Sequence, residues 1–354
     1  MKILALDLGK NKSVACELDT ATNEHEFETI RTRPNEVHDL VVARRPDRVV
    51  IEIGPQAGWV HDLVVALGVA VQVANPNHDA WRWRNVKAKT DRLDALKLAQ
   101  LSSMNQLPTV HMPTRSMRQW RCLITYRHKL VGRRTAIKNH LRAIVTREGE
   151  SPLMRTSKWT NALLAWFRSL AQPMEAVPID EVWRGQLALE LEALADVALR
   201  IQQVEDKLDA LAASDKRVEL LRSIPGVGPR LAELVVATID DPSRFKNGKQ
   251  VGAYAGLTPR LYQSGTMDRM GGISGQGNAL LRALLVEVGW LGLRYNAYVG
   301  EVYERVRRGS DSRKKIAIIA AARRLLIWCW AMLRDNRRWN PPDLSRAAVA
   351  PSVS

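Results

Sequence analysis

Cysteine is nearly absent from this chain. Only Cys16, Cys122 and Cys329 occur among 354 residues. They are odd in number and far apart, which excludes a disulfide framework and any zinc site built on a cysteine pair. The seven histidines show no metal-ligand spacing either. Long apolar runs are also scarce. The most apolar late stretch, Ile316 to Leu333, is broken by Arg323 and Arg324, so it does not read as a membrane span. The opening segment reaches Asp7 too early for a secretory signal. A reducing cytoplasm without membrane attachment is the expectation. Acid is scarce relative to base: the formal net charge is +16 and the pI is about 10.1. That surplus points to a polyanionic partner, because Lys and Arg that neutralise phosphates release counterions.

What is present suffices for two or three domains. The charge is unevenly spread. Residues 1–115 carry +1, 116–150 carry +7, 151–215 carry −4 and 216–354 carry +12. The partner-binding charge therefore lies in one short stretch and in the C-terminal third. The acids of the nearly neutral first third need another explanation.

Strands are expected over 2–8, 12–18 and 25–30 as a meander, followed by a helix over 35–45. A strand over 49–53, a helix over 57–67, a strand over 69–74 and a helix over 91–104 follow. Strands that first meander and then alternate with helices predict a mixed α/β sheet. A long basic helix is expected over 116–149. Farther on, Leu194, Ile201 and Leu208 recur every seven residues, as do Val197, Val204 and Leu211. The pattern fits either a coiled-coil contact between chains or an amphipathic helix packed on its own domain. The chain from Trp339 onward, with Pro341, Pro342 and Pro351, reads as a disordered tail.

Four acids stand out in the first third. Asp7 ends the first apolar strand and Glu52 interrupts a β-branched one. Asp91 and Asp94 share one face at the start of a helix. Each has a plainer reading: a turn for Asp7, an arginine partner for Glu52, and a favourable helix dipole for the other two. Together they suit Mg²⁺ or Mn²⁺, whose preferred ligands are hard oxygens. Two such ions would support in-line phosphoryl transfer.

The segments Leu4-Ala5-Leu6-Asp7, Ile51-Glu52-Ile53-Gly54 and Lys89-Thr90-Asp91-Arg92-Leu93-Asp94-Ala95, with Asn75-Pro76 between them, resemble the DEDD recombinases of bacterial insertion sequences. That group is guided by a bridge RNA. The resemblance runs through most of residues 1–335 and is weakest over 151–215. It implies a RuvC-like, RNase H-type domain over 1–112, with Asp7, Glu52, Asp91 and Asp94 as metal-binding and catalytic acids. The expected remainder is a basic helix and coiled-coil region over 113–215, a mainly helical transposase domain over 216–335 and a tail over 336–354. The implied partners are donor and target DNA, a guide RNA and further copies of the chain, as dimer or tetramer, near the nucleoid.

Ile224-Pro225-Gly226-Val227-Gly228 before a helix reads as a helix-hairpin-helix turn, in which Gly226 and Gly228 let backbone N–H groups approach phosphates. The segment from Ala255 to Gly265 reads from composition only as a loop. The resemblance gives it a role: a serine in a matching Gly-Leu-Thr-Pro-Arg…Ser-Gly segment is the family's nucleophile toward DNA, which points to Ser264. Ser274 is a loop or cap residue, and Gly275 stands where the family usually has a lysine. Tyr262 lacks the basic set of a tyrosine recombinase. Trp81, Arg82, Trp83 and Arg84 interleave aromatics with cations just before Asp91, as in strand-binding surfaces. Arg118, Arg121, Arg127, Lys129, Arg133, Arg134, Lys138 and Arg142 crowd one helix and read as a second nucleic-acid surface. Arg305, Arg307, Arg308, Arg313, Lys314 and Lys315 form a third group.

Three other readings stay open on the residues. A junction-resolving nuclease would use the same acids with water. A non-catalytic nucleic-acid-binding protein would keep only the fold. An actin-like kinase would use Asp7-Leu8-Gly9 at phosphate, but no later glycine-rich adenosine loop follows.

Overall fold

The computed structural model describes residues 1–75, 90–151, 158–264 and 267–341, with residues 261–264 and 267–270 described by their backbone. The chain divides into two compact units, Met1–Ser116 and Met117–Ser354.

Unit 1 opens with β1 (Lys2–Leu8), β2 (Lys12–Asp19) and β3 (His25–Arg31), the expected meander. Next come α1 (Pro34–Arg44), β4 (Arg48–Glu52), α2 (Ala57–Ala66), β5 (Ala70–Ala74) and α3 (Asp91–Ser103). The five strands lie in the order β3-β2-β1-β4-β5. β1 pairs antiparallel with β2 and parallel with β4, and β5 continues parallel to β4. This strand order with one antiparallel flank is the RNase H-like arrangement.

Alternation along β1 explains the layering. Leu4 and Leu6 pack with Val37, Val41, Val60 and Val64 of α1 and α2, while Ile3 and Ala5 pack with Ala95, Leu98 and Ala99 of α3. Successive side chains of a strand point to opposite faces, so α3 covers one face of the sheet and α1 with α2 the other. α3 is pinned at its far end as well. The buried Ser102 hydroxyl donates to Gln72 Oε1 at 2.7 Å and accepts from Arg48 at 3.3 Å.

Unit 2 takes in most of α4 (Arg115–Arg147), then α5 (Asn161–Leu170), α6 (Val182–Ser214), α7 (Lys216–Arg222), α8 (Pro229–Ile239) and α9 (Gly248–Tyr254). A two-stranded hairpin follows, β6 (Pro259–Ser264) with β7 (Met267–Ile273), and α10 (Ala279–Tyr295), α11 (Ala297–Arg307) and α12 (Lys314–Asp335) end it. The hairpin stands where composition suggested only a loop.

α4 and α6 run antiparallel: Arg127 meets Glu205, His140 meets Glu190 and Arg147 meets Gln186. The heptad residues Val197, Ile201, Val204 and Leu208 share a buried core with Trp120, Ile124 and Leu130 of α4. The seam is therefore filled within the chain, which favours the packed-helix reading over the contact between chains. The same core continues through α7, α8 and α12, so the expected division at 215/216 falls inside one continuous apolar cluster.

α12 is long and apolar enough to cross a membrane by length and composition. Its Ala321, Ala322, Leu325, Leu326, Cys329 and Trp330 are buried in this fold, and it serves as a core helix. Residues 336–341 correct the tail expectation. Trp339 packs edge to face on Trp328 and Tyr298, and its backbone N–H donates to Ser223 Oγ at 3.0 Å. Packing a half-buried indole against two aromatic rings offsets the ordering of a few residues. Residues 342–354 lie outside the described residues.

Candidate functional site

β1 and β4 set the first group of acids. Leu6 is in register with Ile51 on the neighbouring parallel strand. Asp7 and Glu52 come next on each strand, side by side at the same end of the sheet. By parity with Ala5 and Val50 they belong to the α3 face. Both are half-buried.

α3 brings the second pair to that face. Its N-cap is Thr90, whose hydroxyl accepts from Leu93 N–H at 3.3 Å, and both Asp91 and Asp94 fall in the first turn. Acids there are favoured by the unpaired N–H groups of the helix start. Asp94 is 8% exposed and continues the buried stripe of Ala95, Leu98 and Ala99, while Asp91 is exposed. Three of the four acids thus attach to one face, and the fourth sits one turn away at its rim.

The donor chemistry suits a hard divalent cation, since every candidate group is a carboxylate. The geometry is more open. Among the described residues no three Asp, Glu, His or Cys side chains are grouped closely enough to hold a metal ion. Cation binding would have to draw these carboxylates together. Trp81, Arg82, Trp83 and Arg84, expected to flank the acids, lie outside the described residues.

In unit 2 the backbone of Ser264 ends β6, paired with Met267. The foot of this hairpin is clamped by close backbone contact. Gly256 has φ +69°, and a Cβ there would lie 1.9 Å from the Gln276 carbonyl oxygen; Gly277 has φ +81°, and its Cβ would lie 2.1 Å from the Tyr254 carbonyl oxygen. Only glycine satisfies both the left-handed backbone and the approach. Ser274 N–H donates to Thr258 O at 2.8 Å, and Arg282 donates to the carbonyls of Ala255 and Gln276. Ser274 is a clamp residue through its backbone. The cap of α10 is Asn278, whose side chain accepts from Leu281 N–H at 3.1 Å. Sequence reading missed Asn278, although Asn before an apolar helix is a cap signal.

α7 and α8 flank the turn at Ile224–Gly228, where Val227 N–H donates to Ile224 O at 3.0 Å. Gly226 has φ +90°, Gly228 is the N-cap, and both are exposed. Asn296 ties the turn to α10 and α11 by donating to Pro225 O at 3.3 Å. Pro229 at the first helical position leaves one N–H fewer for an anion.

The basic face of α4 is smaller than its composition suggests. Arg121 is turned inward, donating through Nε to Ala237 O and through Nη2 to Thr238 O at 3.1 Å. Burial holds its guanidinium below the usual arginine range. It satisfies the last carbonyls of α8, which takes it out of the expected binding surface. Arg127 is paired with Glu205 at 2.6 Å. Arg133 is exposed and Arg134 half-buried, and among the described residues neither has an ion-pair partner. Arg118 is half-buried near the start of the helix. Lys138 and Arg142 lie 5.0 and 5.1 Å from the Trp159 ring centre, and Trp159 stacks on Phe167. Burial first, then Arg134 and Arg142, lowers the Lys138 pKa. Trp159 follows the loop expected near 151–157 and had no periodic pattern to mark it.

Residues 4–148 match a DEDD transposase model of the IS110 type, and residues 218–304 match one described as "Transposase IS116/IS110/IS902 family". The chain is 28% identical over 287 residues to the transposase for insertion sequence element IS1111A of Coxiella burnetii, covering 81% of this chain and 76% of that one. A pilin gene-inverting protein of Moraxella bovis is 32% identical over 142 residues, 38% of this chain and 42% of its own. Among solved structures, RuvC of Thermus thermophilus aligns over 31% of this chain and all of its own, with 13% identity and a TM-score of 0.24. At that score the fold assignment stands on the strand order described above.

Proposed function

This chain belongs to the IS116/IS110/IS902 family of DEDD transposases, and from that premise we propose that it cuts and rejoins DNA strands by metal-assisted phosphoryl transfer under the guidance of an RNA. The observation that carries the reading is the register of β1 and β4. It sets Asp7 beside Glu52 on the face that α3 covers with Asp94. Acids at the ends of buried strands cost stability through mutual repulsion and desolvation, which a catalytic role accounts for.

Asp7, Glu52, Asp91 and Asp94 would hold Mg²⁺ or Mn²⁺. When bound, such an ion would polarise a phosphoryl oxygen and stabilise charge on the attacking and leaving oxygens. In the family's pattern Ser264 would be the nucleophile. Its oxygen would form a bond to phosphorus as the bond from phosphorus to a sugar oxygen breaks. The sugar oxygen would take up a proton as the serine hydroxyl loses one, leaving a protein–DNA ester. Attack by an incoming sugar hydroxyl would reverse these steps and rejoin the strand. The clamp at the foot of β6 and β7 supports this reading, because it fixes the backbone that carries Ser264.

The cationic faces of α4 and the exposed turn at Gly226 and Gly228 would contact nucleic-acid backbones. Trp81, Arg82, Trp83 and Arg84 would contact a strand next to the acids. The guide RNA and the assembly of several copies follow from the family resemblance. RNA that copurifies with the protein should map to the flanks of its own element; random cellular RNA would refute guidance.

Asp91→Ala should abolish strand transfer while leaving nucleic-acid binding intact, and full transfer activity in that variant would sink the metal-site reading. Ser264→Ala should form no covalent adduct with nicked or suicide substrates. A normal adduct yield would reject Ser264. An active wild-type enzyme that never forms an adduct would point instead to hydrolysis by water. Mg²⁺ at ten times its dissociation constant should stabilise unit 1 by about 1.4 kcal/mol, read as a melting shift that Asp7→Asn and Glu52→Gln remove.

A further inference from the structure

Two cavities adjoin on unit 2. The larger, of about 850 Å³, is a groove lined by Lys249, Arg305, Arg323 and Arg324, with Asn247 and Thr258 as neutral hydrogen-bonding groups. Among the described residues no Asp or Glu lines it. The smaller, of about 460 Å³, opens beside it, and the two share Val302, Arg305 and Arg324. Its wall is aromatic. Trp328 and Trp339 meet edge to face at 5.1 Å, and Tyr298 meets Trp339 at 5.8 Å.

Three of the four groove cations, Lys249, Arg323 and Arg324, have no ion-pair partner among the described residues, while Arg305 pairs with Glu301. Arg324 is exposed and, among the described residues, has no ion-pair partner. The two acids of the smaller cavity are already engaged, Glu301 with Arg305 at 3.5 Å and Asp335 with Arg334 at 2.7 Å. The groove begins at Thr258 and Pro259, where β6 starts.

We propose that these cavities form one track for a single-stranded nucleic acid, with phosphates along the Lys249–Arg324 groove and one unstacked base in the Tyr298–Trp328–Trp339 pocket. A groove with three unpaired cations and no acid in its own lining matches a phosphodiester chain. A pocket of this size holds a planar group of nucleobase dimensions, and aromatic walls bind a base through its π-face whatever its identity. A base inside an intact duplex presents no free face. The track therefore selects single strands, the form that strand exchange exposes. Only the source of the strand rests on the proposed transposase activity.

The test uses the full chain in EDTA, so that binding is read apart from metal-dependent chemistry. The probes are fluorescent oligo-dT, oligo-U and a duplex, each of about twelve nucleotides. Arg324→Glu is the variant of choice because its side chain is exposed; Trp339→Ala is the second, with melting temperature as the check on folding. Each should weaken binding of oligo-dT or oligo-U on the order of ten-fold and leave duplex binding unchanged. Tryptophan quenching by oligo-dT should fall in the Trp339 variant. Equal losses for duplex and single strand would reduce the region to a general basic patch and overturn the proposal. Unchanged single-strand binding in a folded Arg324→Glu variant would overturn it too.

Discussion

Glu233 should make unit 2 lose stability as pH rises from about 4.5 to 7. It sits on α8 with 0% exposure, and burial pushes its pKa up to about 7 from 4.5. Arg230 opposes this, donating at 2.9 and 3.2 Å to the two carboxylate oxygens while also pairing with Asp209. Burial is the larger cause. A carboxylate whose folded pKa is raised contributes stability that is fully present below pH 4.5 and is lost as pH rises through 7. At about 1.4 kcal/mol per pH unit, the loss is at most about 3–4 kcal/mol. Glu233→Gln keeps the shape and an acceptor for Arg230 but cannot ionise. Urea unfolding at pH 4.5, 6 and 8 should therefore find the variant within about 1 kcal/mol of wild type at the lowest pH. At pH 8 it should be more stable by about 1–3 kcal/mol. Tryptophan fluorescence reports mainly on unit 2, which holds Trp120, Trp159, Trp166, Trp183, Trp290, Trp328, Trp330 and Trp339. A variant less stable than wild type by the same amount at every pH would mean that the Arg230 pair wins over burial, and the reasoning would fail.

Two further outcomes test the clamp and the basic helix. Gly256→Ala should lower stability by more than the roughly 1–2 kcal/mol of a left-handed alanine, because its methyl would overlap the Gln276 carbonyl. Gly275→Ala, with φ +68° and open space around it, should cost only that backbone amount; equal melting shifts would refute the close approach. Arg121→Ala should cost about 1–3 kcal/mol by orphaning two carbonyls of α8 and leave the salt dependence of DNA binding unaltered. Arg133→Ala should do the reverse, sparing the melting temperature and lowering the slope of log K against log salt by about 1.

Unit 1 was legible because its signals are local. Period-two alternation, the β-branched run at Val49–Ile51 and the Thr90 cap each specify their own element. The register that sets Asp7 beside Glu52 then follows from sheet pairing alone. Unit 2 was legible only in its helices. β6 and β7 carry Arg260, Gln263, Asp268, Gly271 and Gly272 in place of an apolar alternation, and their foot is made by contact between residues about twenty apart in sequence. The heptads of α6 declared an apolar face and left open what covers it; α4 of the same chain does.

Charge was the least transparent signal, for a related reason. Arg121 and Arg133 look alike on one basic helix, yet one caps α8 and the other faces solvent. A guanidinium is assigned by what the fold places within its reach, and that partner is usually distant in sequence. The same holds for the groove and pocket of unit 2. Lys249, Thr258, Arg324 and Trp339 come from four separate segments, and Tyr298 and Arg305 share α11. Density of charge along the chain drew attention to α4, where several cations are already engaged. The groove with no acid in its lining is formed only where α9, α11 and α12 pack together.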